Sequence, residues 1–111
     1  VAERIKDRYK KDLAYASLFE KTCNFKYFEK ILDQKIASAS MKRVSEKLAF
    51  PKNLEIARRI PDPYYRCLAL AEISEKEKME LREEIISSLN EIDNFWLKKW
   101  LENRLKATSK L

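Results

Sequence analysis

The stretch Leu54-Glu-Ile-Ala-Arg-Arg-Ile-Pro-Asp-Pro-Tyr-Tyr-Arg-Cys-Leu-Ala-Leu-Ala-Glu-Ile-Ser74 constrains this chain more than any other. Two runs with helical apolar spacing meet at Pro61-Asp62-Pro63. Asp62 can accept a hydrogen bond from the open N–H groups of a following helix. Pro63 suits that helix's first turn, where a missing N–H costs nothing. The stretch therefore predicts two helices folded back on each other. The second is apolar almost all round, with Arg66 and Glu72 its only charges, so it is expected at the centre.

Upstream, Ala2, Ile5, Tyr9, Leu13, Ala16 and Phe19 recur every three or four residues and draw a stripe along a first helix. From 13 to 19 apolar residues surround the axis, so that half is expected to lie between neighbours. Asn24 offers a cap for a second helix carrying Phe25, Tyr27, Phe28, Ile31, Leu32 and Ile36. A shorter helix is expected from about Ser40, with Met41, Val44 and Leu48 on one side, and it ends before Pro51.

Downstream, Ser74 and Glu77 match a capping box, which predicts a new helix there running through Met79, Ile85, Ile86, Leu89 and Ile92. Asp93 or Asn94 caps the last helix, with Trp96, Leu97, Trp100, Leu101 and Leu105. Strand-like alternation does not persist anywhere. The expected fold is all-α, a single domain over 1–111 with six or seven helices in stacked antiparallel hairpins. A right-handed superhelix and a compact orthogonal bundle both satisfy that pattern.

A shift of 32 positions sets Ile60 on Ile92, Asp62 on Asn94, Tyr64 on Trp96, Leu68 on Trp100 and Ile73 on Leu105. A shift of 37 in the other direction sets Tyr64 on Tyr27, Tyr65 on Phe28 and Leu68 on Ile31. Over residues 14–107 the chain resembles the helical-hairpin repeat superfamily of tetratricopeptide and HEAT-like proteins, with small residues at Ala57 and Ala69. The resemblance implies stacked hairpins with a groove, and it carries no catalytic residues.

Composition narrows the chemistry. The chain contains no His and no Gly. Ser-His-Asp and Cys-His mechanisms need an imidazole, and phosphate-cradling loops need glycines, so no enzyme is expected. A pocket lined by Tyr65, Cys67 and carboxylates is the last-ranked alternative. Cofactors and metals are not called for: Cys23 and Cys67 match no CxxC pattern and are expected to be free thiols in the core, with a disulfide between them as the alternative. The acidic pair Glu83-Glu84 reads as solvated helix face near an N-terminus. Without glycine, turns are expected to use Asn, Asp, Ser and Pro.

Charged residues form 38% of the chain and glutamine is scarce, a balance found in proteins of hot habitats, so a thermostable protein is expected. With no run of about 20 apolar residues and no secretory leader, the chain is expected to be cytoplasmic with no membrane contact. It opens on Val1 rather than Met, as a fragment or processed product does.

The net charge of +6 is unevenly spread, with residues 60–95 holding four basic against nine acidic groups. Basic edges beside one acidic helix suit self-contact or an anionic partner. The leading expectation is a non-catalytic protein-protein interaction or assembly module, acting on a protein partner or by self-association such as a homodimer. Its candidate contact residues are Trp96 and Trp100 on the last helix and Arg58, Arg59, Tyr64, Tyr65 and Arg66 around the turn.

The alternative is nucleic-acid binding through Lys42, Arg43, Lys98, Lys99 and Arg104. Against it, the two tryptophans are expected to pack in the core, with Lys98 and Lys99 on the opposite side of their helix.

Overall fold

The computed structural model describes the backbone over residues 2–107 and side chains over 7–107. The side chains of Ala2 and Ile5, and the chain beyond 107, lie outside the described residues. Among these the fold is all-helical: α1 (Ala2–Thr22), α2 (Phe25–Glu29), α3 (Gln34–Lys47), α4 (Lys52–Arg58), α5 (Pro63–Glu77), α6 (Arg82–Asn90) and α7 (Phe95–Ala107). None is long and apolar enough to cross a membrane.

The junction at Pro61-Asp62-Pro63 forms as its residues dictate. Asp62 accepts from Tyr64 N–H at 2.8 Å and Pro63 opens α5. The same junction occurs three times. At the end of α2, α4 and α6 the chain closes a tight turn whose last bond runs from Ile31 to Phe28, Ile60 to Ala57 and Ile92 to Leu89. Each isoleucine is buried, and two residues later Asp33, Asp62 or Asn94 caps the next helix. Buried side chains follow in step: Ser40, Ala69 and Leu101, then Val44, Ile73 and Leu105.

The last two junctions are thus offset by 32 residues, from Ile60 to Ile92. The 37-residue register does not hold, because Tyr27 belongs to the helix before its junction and Tyr64 to the helix after. The first two junctions are offset by 29 residues, from Ile31 to Ile60. The single helix expected across Phe25 to Ile36 is divided at Asp33, whose carboxylate binds the N–H groups of Lys35 and Ile36 and starts α3 well before Ser40.

Two further expectations are corrected. Ser74 does not open a helix; it lies inside α5, and its hydroxyl donates to Met79 C=O at 2.6 Å. α5 ends at Lys78 in the left-handed conformation (φ 51°), and Cys23 takes the same conformation (φ 56°) after α1. A chain without glycine places these turns on residues with a Cβ, at about 1 kcal/mol each. Nor is the second half of α1 buried all round, since Leu13 and Leu18 are exposed while Ala16 and Phe19 face inward.

α1, α3 and α5 lie side by side and parallel. Pairings that advance together along both chains set the direction: Ser40 Oγ donates to Ala16 C=O and Arg43 meets Glu20, while Ser38 Oγ accepts from Asp62 N–H and Lys42 meets Glu72. α4 packs on α3 and α5, α6 packs on α5, and α2 packs on α1. The radius of gyration, 15.0 Å, exceeds the roughly 13 Å of a compact domain of this length. Extents of 44 × 33 × 17 Å describe a slab with two broad faces.

The main core centres on Phe19, Met41, Val44, Ile60, Leu70, Ile85 and Leu101. Phe19 has no exposure and contacts Phe25 and Phe28 at ring distances of 5.2 and 5.4 Å. Every buried polar side-chain atom among the described residues has a hydrogen-bond partner. Asp12 is the notable case: its carboxylate oxygens accept from Leu32 and Asp33 N–H, each at 3.0 Å, and tie α1 to the α2–α3 turn.

Both thiols are free, but only Cys67 is in the core; Cys23 is exposed. Burial pushes the Cys67 thiol up to about 11 from 9.0. A native protein is thus expected to react with a thiol reagent at Cys23 alone, and at Cys67 only after unfolding. The folded state holds the Cys67 proton that the unfolded chain releases. Its contribution is therefore complete below about pH 9 and is lost as pH rises toward 11. Unfolding curves across that window should fall more steeply for the native chain than for Cys67→Ala.

Candidate functional site

Asn94 accepts from Leu97 N–H at 3.0 Å and starts α7. Leu97, Leu101 and Leu105, one turn apart, form the seam of the helix; Leu101 and Leu105 are buried and Leu97 is half-buried. α7 packs on α6. Trp96 and Trp100 each precede a seam leucine by one residue, hence by about 100° of rotation. That rotation carries them out of the core. Trp96 is 78% exposed, Phe95 62% and Trp100 48%. The expectation of core-packed tryptophans is therefore corrected. Three aromatic rings stand on one open face, with Phe95 and Trp96 edge to face at 5.4 Å.

Basic groups border this face. Lys99 Nζ lies 5.8 Å from the centre of the Phe95 ring, and Arg104 Cζ 5.4 Å from that of Trp100. Lys99 is thus on the aromatic side rather than opposite it. Lys98 is half-buried and turns toward a groove with Arg82 and Glu102 between α6 and α7. An aliphatic stem covering an aromatic ring keeps its charge in water while shielding part of the ring.

The cluster around the Pro61 turn points in separate directions. Arg58 grips Glu84 of α6 through two bonds of 2.6 and 3.1 Å, and that hydrogen bond raises its pKa. Arg66 donates to Ser88 Oγ at 2.9 Å and Ile60 C=O at 3.2 Å and pairs with Glu91. It joins α5 to the ends of α4 and α6. Arg59 lies 5.9 Å from the Phe25 ring. Tyr64 and Tyr65 are half-buried against the core, edge to face at 5.4 Å.

Two basic residues of α3, Lys42 and Arg43, have acidic partners too. Lys42 contacts Glu46 at 2.5 Å and Glu72 at 3.0 Å. Burial lowers its pKa, but hydrogen bonds and charge from the two glutamates outweigh this and leave it raised. Arg43 pairs with Glu20 at 3.3 Å. Lys42 and Arg43 therefore sit on α3 with their charges matched, while Lys98, Lys99 and Arg104 lie on α7.

Among the described residues no three metal-ligating side chains gather. Comparison with known protein families, curated proteins and solved structures finds no match.

Proposed function

We propose that this chain is a non-catalytic protein-interaction module whose contact face is the aromatic side of α7. The carrying observation is the exposure of Phe95, Trp96 and Trp100 together on one helix. Each of α1, α3 and α5 packs on the helix that follows it, whereas among the described residues α7 packs on α6 alone and no further helix lies on its aromatic side. Tryptophan in a desolvated contact is the residue most able to supply binding energy. With Lys99 and Arg104 at the margin, the fitting partner is a protein surface with an apolar centre and bordering carboxylates. The recurring junctions and the parallel helices α1, α3 and α5 support placing the chain among tetratricopeptide- and HEAT-like helical repeats.

A photo-crosslinking residue at the exposed Asn103 tests the reading by trapping whatever lies against α7. A discrete protein adduct is expected, and Trp96→Ala with Trp100→Ala should weaken that partner about a hundredfold, on the scale of two hot-spot contacts. Because both side chains are exposed, folding stability should change by only about 0.5 kcal/mol. Loss of folding, or binding unaffected by the pair, would contradict the assignment.

The cations over the Phe95 and Trp100 rings favour one second reading, a stacking platform for single-stranded nucleic acid. Its mark is oligonucleotide binding that weakens steeply with salt and falls when Lys98 and Lys99 are neutralised. A protein contact dominated by apolar burial responds far less to salt.

A further inference from the structure

Between the parallel helices α1 and α3 runs a groove of about 490 Å³ that the α7 face does not use. Its floor is apolar: Leu13 and Ala16 from α1, Ile36 and Ala39 from α3, and Tyr65 from α5. Leu13 is 44% exposed, and Tyr9, at one end, 56%. Twelve residues separate Tyr9 from Lys21 along α1, so the groove is about 18 Å long at the helical rise.

The rim is basic. Lys35 stands near the Tyr9 end, with Lys21, Arg43 and Lys47 at the other. The one carboxylate among the lining residues, Glu20, pairs with Arg43, and its backbone carbonyl accepts from Lys47 Nζ at 3.2 Å. Lys21 and Lys35 have no carboxylate partner among the described residues and are exposed. The groove thus has an apolar floor, one exposed lysine at the Tyr9 end and excess positive charge at the Lys21 end.

We propose that this groove binds an acidic amphipathic helix of about three turns from another protein, apolar side chains on Leu13, Ile36 and Tyr65 and carboxylates against Lys35 and Lys21. Two helices side by side leave a furrow that a third fills at interaxial distances of about 8–10 Å. An apolar stripe set into such a furrow is the helix-in-groove mode of peptide recognition. Charge complementarity selects the acidic sequence, because a basic helix would meet like charges at both ends. A simple polyanion is not the fitting occupant, since it would leave the apolar floor unfilled.

This inference rests on the reading of the chain as a protein-interaction module, but not on its α7 face. Fluorescence anisotropy with a labelled 14-residue peptide tests it, the peptide having leucines at helical spacing and glutamates at both ends. Binding is expected to be saturable, with a scrambled peptide of equal composition at least about tenfold weaker. Lys21→Glu with Lys35→Glu should weaken the peptide about tenfold, and a peptide with lysines at its ends should recover the loss on that variant. Both positions are exposed, so circular dichroism should be unchanged.

Leu13→Asp should weaken binding without reversing the charge preference. Equal affinity for the scrambled peptide, indifference to the charge reversals, or preference for a single-stranded oligonucleotide of equal charge would each overturn the proposal. The Trp96→Ala, Trp100→Ala variant should bind this peptide normally. Failure of the α7 reading and failure of the groove are thereby told apart.

Discussion

Replacing Phe19 by alanine should lower unfolding free energy by about 3–5 kcal/mol, the range for deleting a buried phenylalanine. Phe19 has no exposure and meets Phe25 and Phe28 edge-on or tilted, so the cavity would open where α1 and α2 join the main core. At the entropy of unfolding for a domain of this size, that corresponds to a fall in melting temperature of about 15 °C. Thermal unfolding by circular dichroism measures it. A shift of only a few degrees would mean that α2 is not packed as described.

Asp12→Ala is the second large effect, through polar rather than apolar groups. The substitution leaves Leu32 and Asp33 N–H without their acceptor at a site where Asp12 is only 3% exposed. Leaving a donor unpaired costs about 1–3 kcal/mol when it is buried, and because these two bonds are only part-buried the pair should cost roughly 2–3 kcal/mol in all. Asp12→Asn retains one acceptor oxygen and should fall between the two. Hydrogen exchange at Leu32 and Asp33 should accelerate selectively in both variants. Unchanged exchange there would refute the role given to Asp12.

The parts of the fold legible in the sequence are those set by neighbouring residues. Asp62, Asn24 and Asn94 cap helices because a short side-chain acceptor can reach N–H groups two or three residues on, whatever the tertiary context. Asp33 does the same, but it stands inside an apolar run whose periodicity suggested an unbroken helix. The end of α5 was hidden for a related reason. Its left-handed turn falls on Lys78, with no glycine to mark it, so the Ser74 and Glu77 spacing looked like a helix start. Asp12 did leave a signal, because it shares the inward face of α1 with Ala16 and Phe19, where a charge implies a buried partner.

The candidate site was legible in its residues and not in its surroundings. Periodicity shows that α7 has a wide apolar face, but whether Trp96 and Trp100 are covered depends on which helices reach them. Likewise the partners of Arg58 and Arg66, Glu84 and Glu91, lie on α6 and at its end, too far along the chain for helical spacing to connect. Those arginines tie the helices together.

Both tryptophans of the chain lie on the α7 face, so selectively excited tryptophan emission, apart from that of the five tyrosines, reports on that face. The most direct test is acrylamide quenching of the monomer, confirmed by sedimentation, and then of its complex with the protein trapped at Asn103. Efficient quenching of a red-shifted emission is expected in the monomer, with marked protection and a blue shift in the complex. Tryptophans shielded in the isolated monomer, or equally quenched with the partner bound, would contradict the assignment of α7 as the contact face.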